Sequence, residues 1–357
     1  MINKSLFVSL VDPYSPSADI PNQDLKTWDS ILRVLRSSQL LSSYAFNVKQ
    51  NIADIPTPLR PHLMSAMTFA DAQERQVRHA ANLIQMQLSK INAPLIFLKG
   101  TAYTLANTTN AKGRLFSDID ILVHKQDMPT IEGYLLNNGW GIKTLDDYDE
   151  KYYRDWSHEL PPFTHFETGT NLDIHHTLLP PISGYQIDLK DLWSHKVITE
   201  QAYAVPSLGY MILHSSIHLL LNEDVDKGLR DLIDINHLIY AYFENNDMQS
   251  LKAIFARSGC ENEFDLLSAI LKSLLNPDYL NDGAAVNPTP TFASRMYCQA
   301  LFPDCAALGG SSASFSRAWV YTRGHLKKMP KGIFFKHIAH KGYRTVAKKL
   351  FGDFIFR

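Results

Sequence analysis

With 357 residues, 45% of them hydrophobic and 20% charged, the chain has an ordinary globular composition. It is long enough for two or three packed units and excludes wholesale disorder. The formal net charge of -1 hides an asymmetry, because residues 317–357 carry eleven Lys or Arg against a single acid, Asp353.

The N-terminal apolar patch is short and is interrupted by Pro13 and Pro16, unlike a signal peptide. "NQDLKTWDSILRVLRSSQLL" places Leu25, Trp28, Ile31, Leu32 and Leu35 at helical spacing. A long amphipathic helix is predicted over His62 to Asn92, closed by Asn92 and Pro94. "PLIFLKG" then reads as a buried strand with a glycine stop, "TAYTLANTT" as a helix opening and "SDIDILVH" as a second strand. "KQDMPTIEGYLLNNGW" follows as a helix with a turn at Asn138-Gly139. "PPFTHFETGTNLDIHHTLL" reads as a hairpin turning at 168–171. Beyond Pro180-Pro181 the pattern is helical again, in "PSLGYMILHSSIHLLL", "DKGLRDLIDINHLIYAYFEN", "MQSLKAIFARSG" and "NEFDLLSAILKSLL". A Pro/Asn-rich loop, "NPDYLNDGAAVNPTPTF", precedes the basic segment. The expected organisation is α+β: an N-terminal helical region at 1–92, an α/β core at 93–182, a helical accessory domain at 183–316 and a basic segment at 317–357.

The run "LKGTAYTLANTTNAKGRLFSDIDILV" poses the chemical question. Alternation along a strand puts Asp118 and Asp120 on one face, and like charges so close repel unless a proton or a cation intervenes. Paired carboxylate oxygens suit Mg²⁺, or Mn²⁺ in its place. Asp173, set between Leu172 and Ile174 in a predicted strand, is the best third acid. Upstream, Gly100-Thr101 opens a helix whose free N–H groups suit a phosphate, with Lys99 adding charge and Thr101 a hydroxyl. Exposed carboxylates at a strand end are the plain alternative for the acid pair taken alone.

The ordered combination "LKG", "R…SDIDILV" and a helix ending in "NNGW" resembles the nucleotidyltransferase superfamily with the polymerase-beta-like fold, above all its uncharacterised bacterial branch with an "LKG…R…DiDilv" signature. Thr101 stands where that superfamily usually has Ser. The gap from Gly100 to Asp118 is long, as in that branch. "LHSSIHLLLNEDVDKGLRDLIDINHLI" is similar to the helical part of the same branch. The resemblance implies a small mixed sheet with helical flanks and transfer of a nucleoside monophosphate from an NTP substrate to an acceptor hydroxyl or phosphate, on a small molecule, sugar, peptide or protein, with release of pyrophosphate. It implies Asp118, Asp120 and Asp173 as metal-binding catalytic acids, and Lys99, Gly100 and Thr101 as the triphosphate site. Arg114 either reaches the phosphates or forms an ion pair that orders the loop.

Other candidates keep two readings. His175 shares the Asp173 face and either touches substrate or is held by a carboxylate. His214 and His218, four apart on one helix face, with Arg230, Asp231 and Asp234, either line a substrate pocket or form a buried polar network. Trp156, His158 and Glu159 lie in a polar-aromatic loop. The basic segment suits a nucleic acid or an anionic membrane surface, or a solvated terminus. Cys260, Cys298 and Cys305 lack metal-ligand spacing and read as free thiols of a cytoplasmic protein, and no transmembrane segment is expected. The competing functions are an inactive nucleotide-binding regulator of the same fold and an RNA- or tRNA-modifying transferase.

Overall fold

The computed structural model describes residues 3–14, 23–143, 147–222, 225–280, 288–308 and 313–335. The basic segment is therefore described only as far as residue 335, and the expectation for its remainder lies outside the described residues.

Four helices open the chain: α1 (Lys4–Val11), α2 (Leu25–Ser37), α3 (Leu41–Asn47) and α4 (Arg60–Ser89). Asp24 caps α2 by accepting from the Thr27 amide at 2.8 Å, and the helix buries Trp28, Ile31, Leu32 and Leu35 of the predicted stripe, while Leu25 in its first turn is exposed. The thirty residues of α4 make a rod of about 45 Å. It starts with Pro61 in the first turn and is followed by Asn92 in the left-handed region (φ +52°).

The α/β part alternates β1 (Leu95–Phe97), α5 (Lys99–Ala106), β2 (Ile119–Val123), α6 (Met128–Leu136), β3 (Trp140–Ile142), α7 (Asp147–Lys151), β4 (Phe163–His165) and β5 (Asn171–His175). Its mixed sheet has the order β1-β2-β5-β4-β3, and only the β2–β5 pair is parallel. The β1 and β2 strands are buried along their full length, as the apolar runs require. A single hydrophobic cluster joins the sheet to the later helices, with Ile96, Phe97, Ile121, Ile174, Ile212, Leu220 and Leu238 all in it.

Helix α8 (Leu189–Ser194) and a short hairpin of β6 (Val197–Ile198) and β7 (Ala204–Val205) lead to α9 (Leu208–Leu221), α10 (Gly228–Phe243), α11 (Met248–Arg257) and α12 (Glu261–Leu274). Twelve of the fourteen residues of α9 are buried, His214, Ser215 and Ser216 among them, so it runs through the interior of the helical part. Helices α13 (Phe292–Ala300) and α14 (Ser314–Lys328) complete the described elements; the latter stops just before Pro330. Helices α1 to α3 share a second apolar cluster with Leu229, Ile233 and Phe302. The fold is α+β, a small mixed sheet between helical flanks.

Candidate active site

The site is assembled at one end of β2. The Leu98 amide donates to the Asp120 carbonyl at 2.9 Å, which brings the start of α5 alongside the acid pair. Strand β2 begins at Ile119, so Asp118 stands just before it and Asp120 within it. In the parallel β2–β5 register Asp120 lies directly beside Asp173. The three predicted acids are thus gathered, although Asp173 comes from a strand some fifty residues later.

Asp120 is almost wholly buried and carries two partners on one oxygen. Its Oδ1 accepts from Lys99 Nζ at 2.7 Å and lies 2.9 Å from His175 Nε2; neither bond uses Oδ2. Burial alone would raise its carboxyl, but Lys99 and His175 more than reverse this and hold it well below the usual range. Asp173 goes the other way. Burial, then the charges of Asp120 and Glu159, push it up to about 7. Among the described residues Asp173 has no hydrogen-bond or ion-pair partner. Two adjacent carboxylates, one ionised against Lys99 and one driven toward neutrality with no cation of its own among the described residues, form an oxygen donor set that a hard divalent cation fits.

Lys99 has a left-handed backbone (φ +46°), and its amine donates to Asp120. The amides of Lys99, Gly100 and Thr101 belong to the first turn of α5 and have no carbonyl within the helix. Gly100 cannot be larger without displacing Arg114, since an added Cβ would meet Arg114 Nη1 at 2.9 Å. The Thr101 hydroxyl does not meet the expectation of a phosphate contact: it is buried, finds no partner and does not line the cavity.

That cavity, of about 230 Å³, is lined by Lys99, Gly100, Arg114, Ser117, Asp118 and Asp120 on the sheet side and by His218, Lys227, Arg230, Asp231 and Asp234 on the helical side. The arginines facing it are already committed. Arg114 Nε donates to Asp234 at 2.9 Å and its Nη2 lies 3.8 Å from Asp231; the guanidinium also packs over Tyr103. Of the two roles open to Arg114, the ion pair is the one present. Arg230 donates to Asp231 at 2.7 Å and to Gln39 Oε1 at 2.6 Å. Lys227, in contrast, has no ion-pair partner among the described residues. It was not singled out in the sequence, where nothing distinguishes it from any helix-start lysine.

The histidines separate. His218 lines the cavity, and burial pushes its imidazole down to about 3. His214, expected beside it in a substrate pocket, is buried in α9 without lining that cavity, also as a neutral imidazole because of burial. Of the two readings of His175, the geometry is that of an imidazole held behind Asp120 by its carboxylate. Its Nδ1 faces Glu159 Oε2 at 3.3 Å. Glu159 reaches it because residues 159 and 175 pair across an isolated antiparallel bridge, a long-range register that the loop sequence does not signal. Trp156 does not line the cavity; its ring packs edge-on against Tyr148 and Tyr152.

The long helix α4 fastens the loop between α5 and β2. Arg78 donates to the Thr104 carbonyl at 2.8 Å and to Asn107 Oδ1 at 2.7 Å, and Gln73 Oε1 accepts from the Phe116 amide at 3.2 Å. Gly113 in that loop is at φ +77°, and an added Cβ would lie 2.7 Å from the Ser43 backbone. Position and orientation of Arg114 are thereby fixed from both sides.

Among the described residues no helix is long and apolar enough to cross a membrane. Among curated proteins, none matches the chain. Residues 24–276 match a family described as "Uncharacterised nucleotidyltransferase"; they span the acid triad, the helix start and the α9–α10 pair, and the chain belongs to that family.

Proposed function

We propose that the chain is a Mg²⁺-dependent enzyme that moves a nucleoside monophosphate from an NTP to an acceptor hydroxyl or phosphate and releases pyrophosphate. The observation that carries this reading is the gathering of Asp118, Asp120 and Asp173 beside the first-turn amides of α5, with Asp118 and Asp120 opening onto a cavity that Lys99, Arg114, Lys227 and Arg230 also line. Asp118, Asp120 and Asp173 would hold the divalent cation, Mg²⁺ or Mn²⁺, which when bound neutralises charge on the phosphates and the attacking oxygen. The chain's own residues supply the rest. The first-turn amides of α5 and the Lys99 ammonium orient the triphosphate, and Lys227, without an ion-pair partner among the described residues, offers a charge from the helical side. Asp173, beside the cation, would also help to take the acceptor proton. Arg114 acts by holding Asp234 and the loop rather than by reaching the phosphates.

The acceptor is found by incubating the protein with each labelled NTP, Mg²⁺ and cell extract and identifying what becomes labelled. Asp118→Asn and Asp120→Asn should each cut pyrophosphate release by at least about a hundredfold, the scale of several kcal/mol of lost charge stabilisation. Unchanged Mg²⁺-dependent NTP binding and pyrophosphate release in both variants would refute the reading. NTP binding without pyrophosphate release for any acceptor would favour a nucleotide-binding regulator instead.

A further inference from the structure

We propose that His158, Glu159 and His175 form a binding site for a borderline transition-metal cation, Zn²⁺ by preference, behind the acid triad and separate from the Mg²⁺ position. One donor atom from each of the three lies within 4.8 Å of the others. Glu159 Oε2 stands 3.3 Å from His175 Nδ1 and 3.9 Å from His158 Nε2. Bonds of about 2.0–2.1 Å in a tetrahedron separate neighbouring ligand atoms by about 3.3 Å, so the carboxylate already sits at or near that spacing from both rings. Two imidazoles and one carboxylate are a donor set for zinc with a fourth position open, and are unsuited to Mg²⁺, which prefers oxygen alone.

Three further observations point to a ligand here. Among the described residues the His175 Nδ1 atom is buried without a hydrogen-bond partner, a costly condition that an ion there would relieve. The backbone holding the ligands is paired on both sides of Glu159: the His176 amide donates to the His158 carbonyl at 2.9 Å and the Leu160 amide to the Ile174 carbonyl at 2.9 Å. The far nitrogen of His175 is hydrogen-bonded to the Asp120 carboxylate at 2.9 Å, the carboxylate–imidazole–metal arrangement that fixes the tautomer of a ligating histidine. None of the three residues lines the 230 Å³ cavity. The ion therefore pins residues 158–160 to β5 and orients His175 toward Asp120, a positioning role.

The test uses the full chain, stripped with chelator and titrated with ZnCl₂ in excess Mg²⁺, with metal content and calorimetry as readouts. One equivalent of Zn²⁺ per chain is expected, with affinity at least about tenfold weaker in His158→Ala and in Glu159→Gln and unchanged in Asp118→Asn. Co²⁺ substitution of the wild-type protein should give the visible absorption of a four- or five-coordinate nitrogen–oxygen site, which decides the matter even if a variant fails to fold. Zn²⁺ binding far below one equivalent, binding undiminished in the folded His158 and Glu159 variants, loss in Asp118→Asn, or a six-coordinate or thiolate Co²⁺ spectrum would each overturn the proposal. No readout depends on nucleotide transfer, so the two proposals fail separately.

Discussion

Asp173→Asn should make the metal-free protein more stable while abolishing transfer. In the folded chain the Asp173 carboxyl is raised to about 7 from its ordinary 3.8, by burial first and then by Asp120 and Glu159. A native pKa above the unfolded one means that the folded state holds a proton that the unfolded chain releases between those two values. The penalty is therefore absent below about pH 4, grows as pH rises and is complete above about pH 7. A rise of this size corresponds to about 4 kcal/mol at most. Water reaching the partly exposed carboxylate screens it, and about 2 kcal/mol is a realistic gain for the neutral amide. Urea denaturation in EDTA should show that gain at pH 8, a smaller one at pH 5 and none near pH 4. Excess Mg²⁺ at pH 8 should narrow the difference by stabilising the wild type alone. A variant no more stable than wild type at pH 8, or a gain that does not shrink on acidification, would refute the account of Asp173 as a charge held in place for function at the expense of stability.

Arg114→Ala leaves Asp234, a buried carboxylate already pushed up by burial, without its main partner and should cost about 3–5 kcal/mol in chemical denaturation. Adding Asp234→Ala to that variant should recover part of the loss, since both charges then go. Lys227→Ala should raise the KM for NTP roughly tenfold, about 1.4 kcal/mol, with the melting temperature almost unmoved because this lysine has no ion-pair partner to lose among the described residues; steady-state kinetics and calorimetry check both.

What the sequence made readable is what local pattern controls. The alternation around Asp118 and Asp120 marked one strand, Leu172 and Ile174 marked the strand of Asp173, and Gly100 marked the start of α5. The parallel register that sets Asp120 beside Asp173 is a tertiary choice, which strand pattern alone leaves open. Arg114 and Asp234 lie 120 positions apart, so each is visible as a candidate but their pairing is not. Glu159 belongs to a segment with no periodicity, after a π-helical turn at Tyr152–Trp156, and only the bridge to His175 gives it a place. Thr101 was read as a phosphate contact from its place at the helix start alone, which does not show that its side chain turns into the protein.

The Lys99–Asp120 pair has a consequence for the order of binding. Its side chains are 23% and 4% exposed, the contact is 2.7 Å, and it is maintained at the cost of a left-handed residue, about 1 kcal/mol or more. In the ligand-free protein the lysine thus supplies the positive charge that Asp120 needs. A cation bound to Asp120 must weaken that pair, and the displaced ammonium then needs an anion. A triphosphate on the first turn of α5 provides one within reach of the same side chain. Mg²⁺ alone should consequently bind weakly, and a non-hydrolysable NTP should tighten it roughly tenfold or more, a coupling of about 1–3 kcal/mol that acts equally in both directions. Lys99→Ala removes the competitor: it should strengthen binding of Mg²⁺ alone, weaken that of the nucleotide and erase most of the coupling. Calorimetric titration of both ligands, singly and together, measures all three. Should Lys99→Ala leave Mg²⁺ affinity unchanged while the protein remains folded, Lys99 is not the resident counter-ion of the metal position, and the ion pair is structural.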